Sequence, residues 1–341
     1  MTSSKSGDAG NNDPALFIEH LTKTYGTFTA LNDLSLTLES GQILGLIGPN
    51  GAGKTTTIKI LVGLSRPTSG VAKIAGVDCV KNARKIKTIV GYMPDRFGAY
   101  DNMRVREYLD FFGAAFGIPP RERLKRIAEV MDITGTTYMK DRFVESLSHG
   151  MQQRVGLAHT LIHDPKVLIL DEPVNGLDPQ ARIEMRDLLI QLTERGKTLL
   201  VTSHILPELA RICTLIAIVT NGTLRAFGTV EEIGRQVSQK RTIETTLMSS
   251  EQVPAAAKIL RQGLEDGAEV IEVPAEATVR FTTSRPESKF KILMARLIQG
   301  GIDITQFREV QTDLEEAFMS FANEEKKVSA ESVVTKGTTN V

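Results

Sequence analysis

Apolar positions along this chain recur with two different periods, and the switches between them mark its organisation. Near the start, "LFIEHLTKTYG" and "LNDLSLTLES" read as strands. "GQILGLIG" is an apolar strand that runs into a glycine-rich turn, followed by the helical stretch "KTTTIKILVGL" and the turn "SRPTSG". Short unbroken apolar runs then return in "KTIVGYMP", "KVLILDEP", "KTLLVTSH" and "LIAIVTNG". Strands without alternation, separated by helical stretches, predict a sheet covered on both faces. From about residue 96 to 164 the period becomes helical. "VREYLDFFGAAFG" puts Val105, Tyr108, Leu109 and Phe112 on one face, and "RERLKRIAEVMD" does the same with Leu124, Ile127 and Met131. This predicts a helical insertion within an α/β unit.

After "AFGTVEEI" the pattern changes again, and a separate region begins at about Thr242. It reads as strand "TIETTLM", helix "VPAAAKILRQGL", strands "AEVIEVP" and "TVRFTTS", helix "ESKFKILMARLIQG" and strand "DITQFREV". The order βαββαβ predicts a small split-βαβ domain. A last helix is predicted from the capping box Thr312-Asp313-Leu314-Glu315, with Leu314, Phe318 and Phe321 as its apolar face. Residues 1–13 and 323–341 are small and polar, and are predicted to be disordered. The two folded regions are placed at 14–235 and 240–322, with no internal repeat.

A length of 341 residues allows a sizeable core and suggests two domains. Lys+Arg and Asp+Glu balance at 41 each, so no global basic field recruits nucleic acid or anionic lipid. No segment approaches the roughly 18 uninterrupted apolar residues of a membrane span, so a membrane function must come through a partner. Cys79 and Cys213 lie far apart without metal-ligand spacing. With no secretory leader recognisable, they predict a reducing cytosol and a role as small core filler.

The chemistry begins at "GPNGAGKTT", Gly48 to Thr56, which fits G-x-x-x-x-G-K-[ST]. Chance alone yields such a match about once in a hundred chains of this size, and here it also follows a strand and opens a helix. In such a loop, Gly48, Pro49, Asn50, Gly51, Ala52 and Gly53 wrap phosphates with backbone N–H groups at a helix N-terminus. Lys54 reaches the β- and γ-phosphates, and Thr55, followed by Thr56, offers a hydroxyl to Mg²⁺. "VLILDEP" brings Asp171 and Glu172 to the carboxyl end of a buried strand, where ligands bind in open α/β sheets. Asp171 is placed to hold Mg²⁺ through water, and Glu172 to orient or deprotonate a water attacking the γ-phosphate.

With both elements present, residues 16 to about 235 resemble the ATP-binding subunit of ABC transporters. The resemblance implies a P-loop NTPase fold, a RecA-like core with an N-terminal antiparallel β-subdomain and a helical insertion. The small α+β C-terminal domain is additional. It also gives a meaning to "LSHGMQQR", Leu147 to Arg154, which occupies the position of the family's LSGGQ signature. There Ser148 and Gly150 are implied to bind the γ-phosphate of ATP held on an opposite subunit, which makes the segment half a site. Tyr25 stands where the family stacks an aromatic ring on adenine. Asp178 in "NGLDP" resembles the residue that communicates across the dimer, and His204 in "TSHIL" the switch histidine at the γ-phosphate. His20, His159 and His163 have no such support and are expected to be solvated or satisfied locally.

Three departures accompany the match. Asp95 in "GYMPDRFG" stands where glutamine is usual; its shorter, charged side chain would meet Mg²⁺ through water. His149 replaces a glycine, and Met151 replaces the final glutamine. Signatures of the form LS-x-GM-x-QR, like a single ATPase domain with a small C-terminal domain, resemble the drug- and polysaccharide-exporter branch. The implied protein is a cytoplasmic ATPase, peripheral on the membrane's cytoplasmic face, that uses ATP and Mg²⁺. It would dimerise with a second ATPase subunit and drive a separately encoded permease, without nucleic acid. Two other readings remain open: a soluble ABC-type ATPase acting on DNA or the ribosome, and a low-turnover nucleotide-gated scaffold.

Overall fold

The computed structural model describes residues 13–95, 98, 102–205, 209–237, 241–264, 268–283 and 289–310. The predicted helix after Thr312 and both polar termini lie outside them, apart from Asp13. The chain divides into two compact units, Met1–Val230 and Glu231–Val341.

In the first unit, β1 (Leu16–Tyr25) and β2 (Phe28–Leu38) form a hairpin joined by β4 (Ser69–Ile74) and β5 (Val77–Asp78) in an antiparallel sheet of order β2-β1-β4-β5. Simple alternation fails here for a reason that the backbone shows. The buried leucines and isoleucines are Leu16, Ile18 and Leu21 on β1, and Leu31, Leu34, Leu36 and Leu38 on β2. In each strand one step is three residues rather than two. The register shifts between Ile18 and Leu21, where His20 takes a left-handed φ of 49°, and again between Leu21 and Lys23, where Asp33 on the partner strand takes one of 56°. Such a bulge restores the inward face after an extra residue. His20 Nδ1 and Asp33 Oδ1 meet at 2.6 Å on its outer side.

The second sheet of this unit has the order β10-β9-β3-β8-β7-β6. Its strands β3 (Ile43–Ile47), β6 (Val90–Met93), β7 (Val167–Leu170), β8 (Thr198–Ser203) and β9 (Leu215–Thr220) pair in parallel, and β10 (Thr223–Gly228) closes one edge antiparallel to β9. Residues of β3, β7 and β8 are buried throughout, as unbroken apolar runs require in a covered sheet. Among the described residues the unit also carries helices α1 (Lys54–Leu61), α2 (Ala83–Ile89), α3 (Val105–Ala115), α4 (Pro120–Ile133), α5 (His149–Leu161) and α6 (Pro179–Glu194). The parallel strands bring Gly48, Asp171 and His204 to one edge, each the first residue after its strand.

The helical insertion forms as expected on α3, where Val105, Tyr108 and Leu109 are buried. On α4 one assignment is corrected. Ile127, Val130 and Met131 face inward, whereas Leu124 is 67% exposed. Arg123 takes the inward position instead, because its guanidinium bonds Asp110 at 2.6 Å and the Ile118 carbonyl at 2.9 Å while its stem covers Gly113.

In the second unit α7 (Val230–Val237) precedes β11 (Arg241–Leu247), α8 (Val253–Gly263), β12 (Val270–Val273), β13 (Thr278–Thr283), α9 (Phe290–Gln299) and β14 (Ile304–Val310). Counted from β11, this is the βαββαβ order that the sequence predicts. The sheet is antiparallel throughout, in the order β12-β13-β11-β14. Val253, Ala256, Ala257 and Leu260 form a buried stripe on α8 at helical spacing and pack with Val279, Phe281 and Leu293. Glu244 on β11 is covered by arginines from both neighbouring strands, Arg280 at 2.7 Å and Arg308 at 2.5 Å. Their hydrogen bonds hold its carboxyl below the usual glutamate range, against the small cost of burial.

Candidate functional site

The loop after β3 can pass close to the sheet only because particular residues are glycine. A Cβ on Gly48 would stand 2.2 Å from the Val219 carbonyl oxygen. Gly53, the N-cap of α1, has φ 105°, and a Cβ there would meet the Ala30 oxygen at 2.7 Å. The result is a cavity of about 300 Å³ lined by the loop from Pro49 to Thr56 together with Phe28, Ala30, Asp95, Asp171 and Glu172. Residues predicted from three separate stretches of sequence therefore share one cleft at the N-terminus of a helix, which favours anions.

Lys54 is buried, and its Nζ donates to the Gly48 carbonyl at 2.5 Å. It also lies 3.6 Å from Glu172 Oε1. Burial lowers the pKa of this ammonium, while Glu172 and Asp171 pull the other way. Asp171 is buried as well, and burial holds its carboxyl above the usual aspartate range, opposed by a 2.6 Å hydrogen bond from the Thr202 hydroxyl. The same hydroxyl oxygen accepts the Glu172 backbone N–H at 2.9 Å. Thr202 thus ties both acids to β8, a role that a hydroxyl inside an apolar run does not advertise in sequence. Glu172 has a left-handed φ of 52°, which turns its side chain toward Lys54 and His204. His204 Nδ1 stands 2.9 Å from Glu172 Oε2.

The oxygen donors of this cleft fit a magnesium ion. The Thr55 hydroxyl and the carboxylates of Asp171 and Asp95 line the same cleft, and all are hard oxygen donors of the kind Mg²⁺ takes alongside phosphates and water. Among the described residues no cluster of three or more His, Cys, Asp or Glu could cage a metal unaided.

The remaining predicted residues lie outside the cleft lining. Tyr25 is 48% exposed, with Lys23 Nζ 4.7 Å from its ring centroid. Its cross-strand neighbour Phe28, which the sequence pattern does not single out, lines the cleft instead and is 61% exposed. Ser148 caps α5, its Oγ accepting the Met151 N–H at 3.5 Å, and Asp178 caps α6 by accepting the Ala181 N–H at 2.9 Å. Gly150 packs tightly, since a Cβ would stand 3.3 Å from Ala181 Cβ. The histidines expected to be bystanders are accounted for locally. His163 bonds the Val90 carbonyl at 3.0 Å and stacks on Phe116, and His159 packs against Phe112 and Tyr108. Burial pushes His159 down to about 4 and the thiols of Cys79 and Cys213 up to about 12, leaving these groups neutral near pH 7. A larger groove of about 520 Å³, lined by Phe116, Arg126 and His163 among others, lies by the amino ends of β6 and β7, away from this chemistry.

Comparison with known proteins bears on this geometry. Residues 31–175 match the ABC transporter family. The linearmycin resistance ATP-binding protein LnrL of Bacillus subtilis is 30% identical over 302 residues, covering 89% of this chain and 96% of LnrL. The chain belongs to the ABC transporter family. An uncharacterized ABC transporter ATP-binding protein of Synechocystis is 41% identical over 206 residues, and there the match covers 60% of this chain but only 58% of the relative. A solved ATP-binding subunit of an ABC transporter superposes with a TM-score of 0.60 at 29% identity, covering 65% of this chain and 92% of that one. The fold is accordingly the ABC ATPase fold. Among the described residues no helix is long and apolar enough to cross a membrane.

Proposed function

We propose that the chain is the ATP-hydrolysing subunit of an exporter, closing as a dimer over two nucleotides and driving a separate membrane permease. It would work from the cytoplasmic face of the membrane. The observation that carries this reading is the placement of Glu172, which faces Lys54 at 3.6 Å and His204 at 2.9 Å beside the P-loop cleft. The signature segment at Ser148–Gly150 lies outside that cleft, as half of a shared site must. The export direction rests on the resemblance of the signature to the exporter branch and on the relative named for linearmycin resistance.

In the proposed reaction the loop N–H groups and Lys54 bind the phosphates, and the nucleotide takes over the carbonyl contacts that Lys54 makes with Gly48. Glu172 orients a water and receives its proton as the oxygen attacks the γ-phosphorus in line, while the bond from that phosphorus to the β,γ-bridging oxygen breaks and ADP leaves. His204 holds that carboxylate. Thr55, Asp171 and Asp95 would hold the magnesium ion, which would supply charge that neutralises the phosphates. The N–H groups at the start of the partner's α5 would complete the charge stabilisation. The reading is tested by phosphate release from the purified protein and by co-purification. A membrane protein of about six spans is expected to co-purify. Recovery with ribosomes or DNA instead would favour the soluble alternative, and ATP binding without phosphate release would favour the scaffold.

Adenine is proposed to stack on Tyr25, opposite the face that Lys23 covers, with Phe28 as the adjacent wall. Tyr25→Ala is expected to weaken ATP and GTP alike by about 1–3 kcal/mol, the range for a base on an aromatic side chain. Titration with a fluorescent nucleotide reads this directly. Unchanged affinity in Tyr25→Ala with weakened affinity in Phe28→Ala would move the stack to Phe28.

A further inference from the structure

Position 149 is glycine in the usual signature, and here it is a histidine that makes a specific contact. His149 is the first residue of α5, and its Nε2 lies 2.9 Å from the backbone carbonyl of Asn175. A carbonyl only accepts, so Nε2 carries the proton. Asn175 belongs to the turn between Glu172 and Asp178, and its own N–H donates to the Glu172 carbonyl at 3.1 Å. Two hydrogen bonds in series therefore run from the first turn of α5 to the backbone of Glu172. That backbone is the one held at φ 52°. Gly176 is part of the fit, because a Cβ there would come within 3.3 Å of His149 Nε2.

Two other contacts join the same segments, and neither reaches this turn's backbone between Glu172 and Asn175. Gly150 packs against Ala181 and Leu177, and Arg154 bonds Glu184. They fix α5 against α6 further along. His149 alone among these three touches the residue whose N–H closes the turn at Glu172.

We infer that His149 is a positioning residue that couples the two nucleotide sites of the dimer, by latching the phosphate-binding start of α5 to the turn carrying the same subunit's Glu172. The inference rests on the dimer reading above. In that dimer, α5 meets the partner's nucleotide while Glu172 serves its own. Occupancy of one site would then set the backbone of the general base in the other, and by linkage the effect is reciprocal for binding. A glycine at 149 cannot supply this bond.

The test is steady-state hydrolysis by the full-length protein with His149→Gly and His149→Gln. Glutamine places an amide N–H the same number of bonds from the backbone as His149 Nε2, so it can restore the bond. His149→Gly is expected to keep the parental affinity for a fluorescent ATP analogue, because the side chain is exposed and lies outside the cleft lining. Its kcat should fall by about three- to tenfold at nearly unchanged KM, the worth of one neutral hydrogen bond. Its Hill coefficient for ATP should fall toward one, and His149→Gln should recover most of both. Parental kcat and cooperativity in His149→Gly, beside a cooperative parent, would overturn the latch alone. A parent that neither dimerises on ATP nor hydrolyses it would overturn the reading beneath. Loss of kcat that His149→Gln does not recover at all would assign His149 a packing role and overturn the inference.

Discussion

Replacing Glu172 with glutamine is expected to slow ATP turnover by roughly 10²–10⁴, the usual range for loss of a general base, while nucleotide binding persists. The side chain keeps its size, so the cleft keeps its shape and the Thr202 bond to the Glu172 N–H is untouched. What disappears is the charge of a carboxylate whose Oε1 faces Lys54 at 3.6 Å and whose Oε2 faces His204 at 2.9 Å. An amide cannot take the proton of an attacking water. Lys54 is released from a competing carboxylate, so the affinity for ATP should hold or rise. In the proposed dimer closure would need ATP and reopening hydrolysis, so the variant is expected to accumulate as an ATP-bound dimer. Size-exclusion chromatography with ATP shows the dimer, and phosphate release shows the rate. Hydrolysis at the parental rate would remove Glu172 from the mechanism.

The parts of the site written as contiguous sequence are legible from the residues alone. Pro49–Thr56 lines the cleft as one run, and Asp171 and Glu172 reach it directly after a buried strand, so local pattern and spatial position coincide. Contacts between distant segments are not legible in this way. Thr202 is one polar residue in a buried strand, and only its geometry to Asp171 and Glu172 sets it apart. His149 stands out as a departure from the family pattern, but its partner is a backbone carbonyl, which no side-chain pattern records. Phe28 is hidden because a hairpin turn of two residues carries it back beside Tyr25. In the fold, the buried stripe of α8 follows directly from spacing. Leu124 does not, because the Arg123–Asp110 pair displaces the apolar face by one position. The three-residue steps of β1 and β2 similarly depend on the bulge at His20 and Asp33, which apolar spacing does not reveal.

Ser148→Arg is expected to abolish hydrolysis without weakening ATP binding to the single subunit. Ser148 is exposed at the N-terminus of α5 and lies outside the cleft lining of its own chain, so a bulky side chain there leaves Gly48–Thr56 intact. It would instead fill the space where the partner's γ-phosphate must reach the α5 N–H groups. The cap it removes is a single long contact of 3.5 Å, so a melting curve near the parental one is expected and serves as the folding control. Lys54→Ala is expected to be inactive for the opposite reason, a lost phosphate contact beside a sound signature. In a mixed homodimer of the two variants, one composite site carries both lesions and the other carries none. Phosphate release by the mixture is therefore the most direct measurement of the sandwich arrangement. The account predicts that activity returns on mixing, although each variant alone is inactive and binds or caps normally at its unaltered half. Full hydrolysis by Ser148→Arg alone would contradict it.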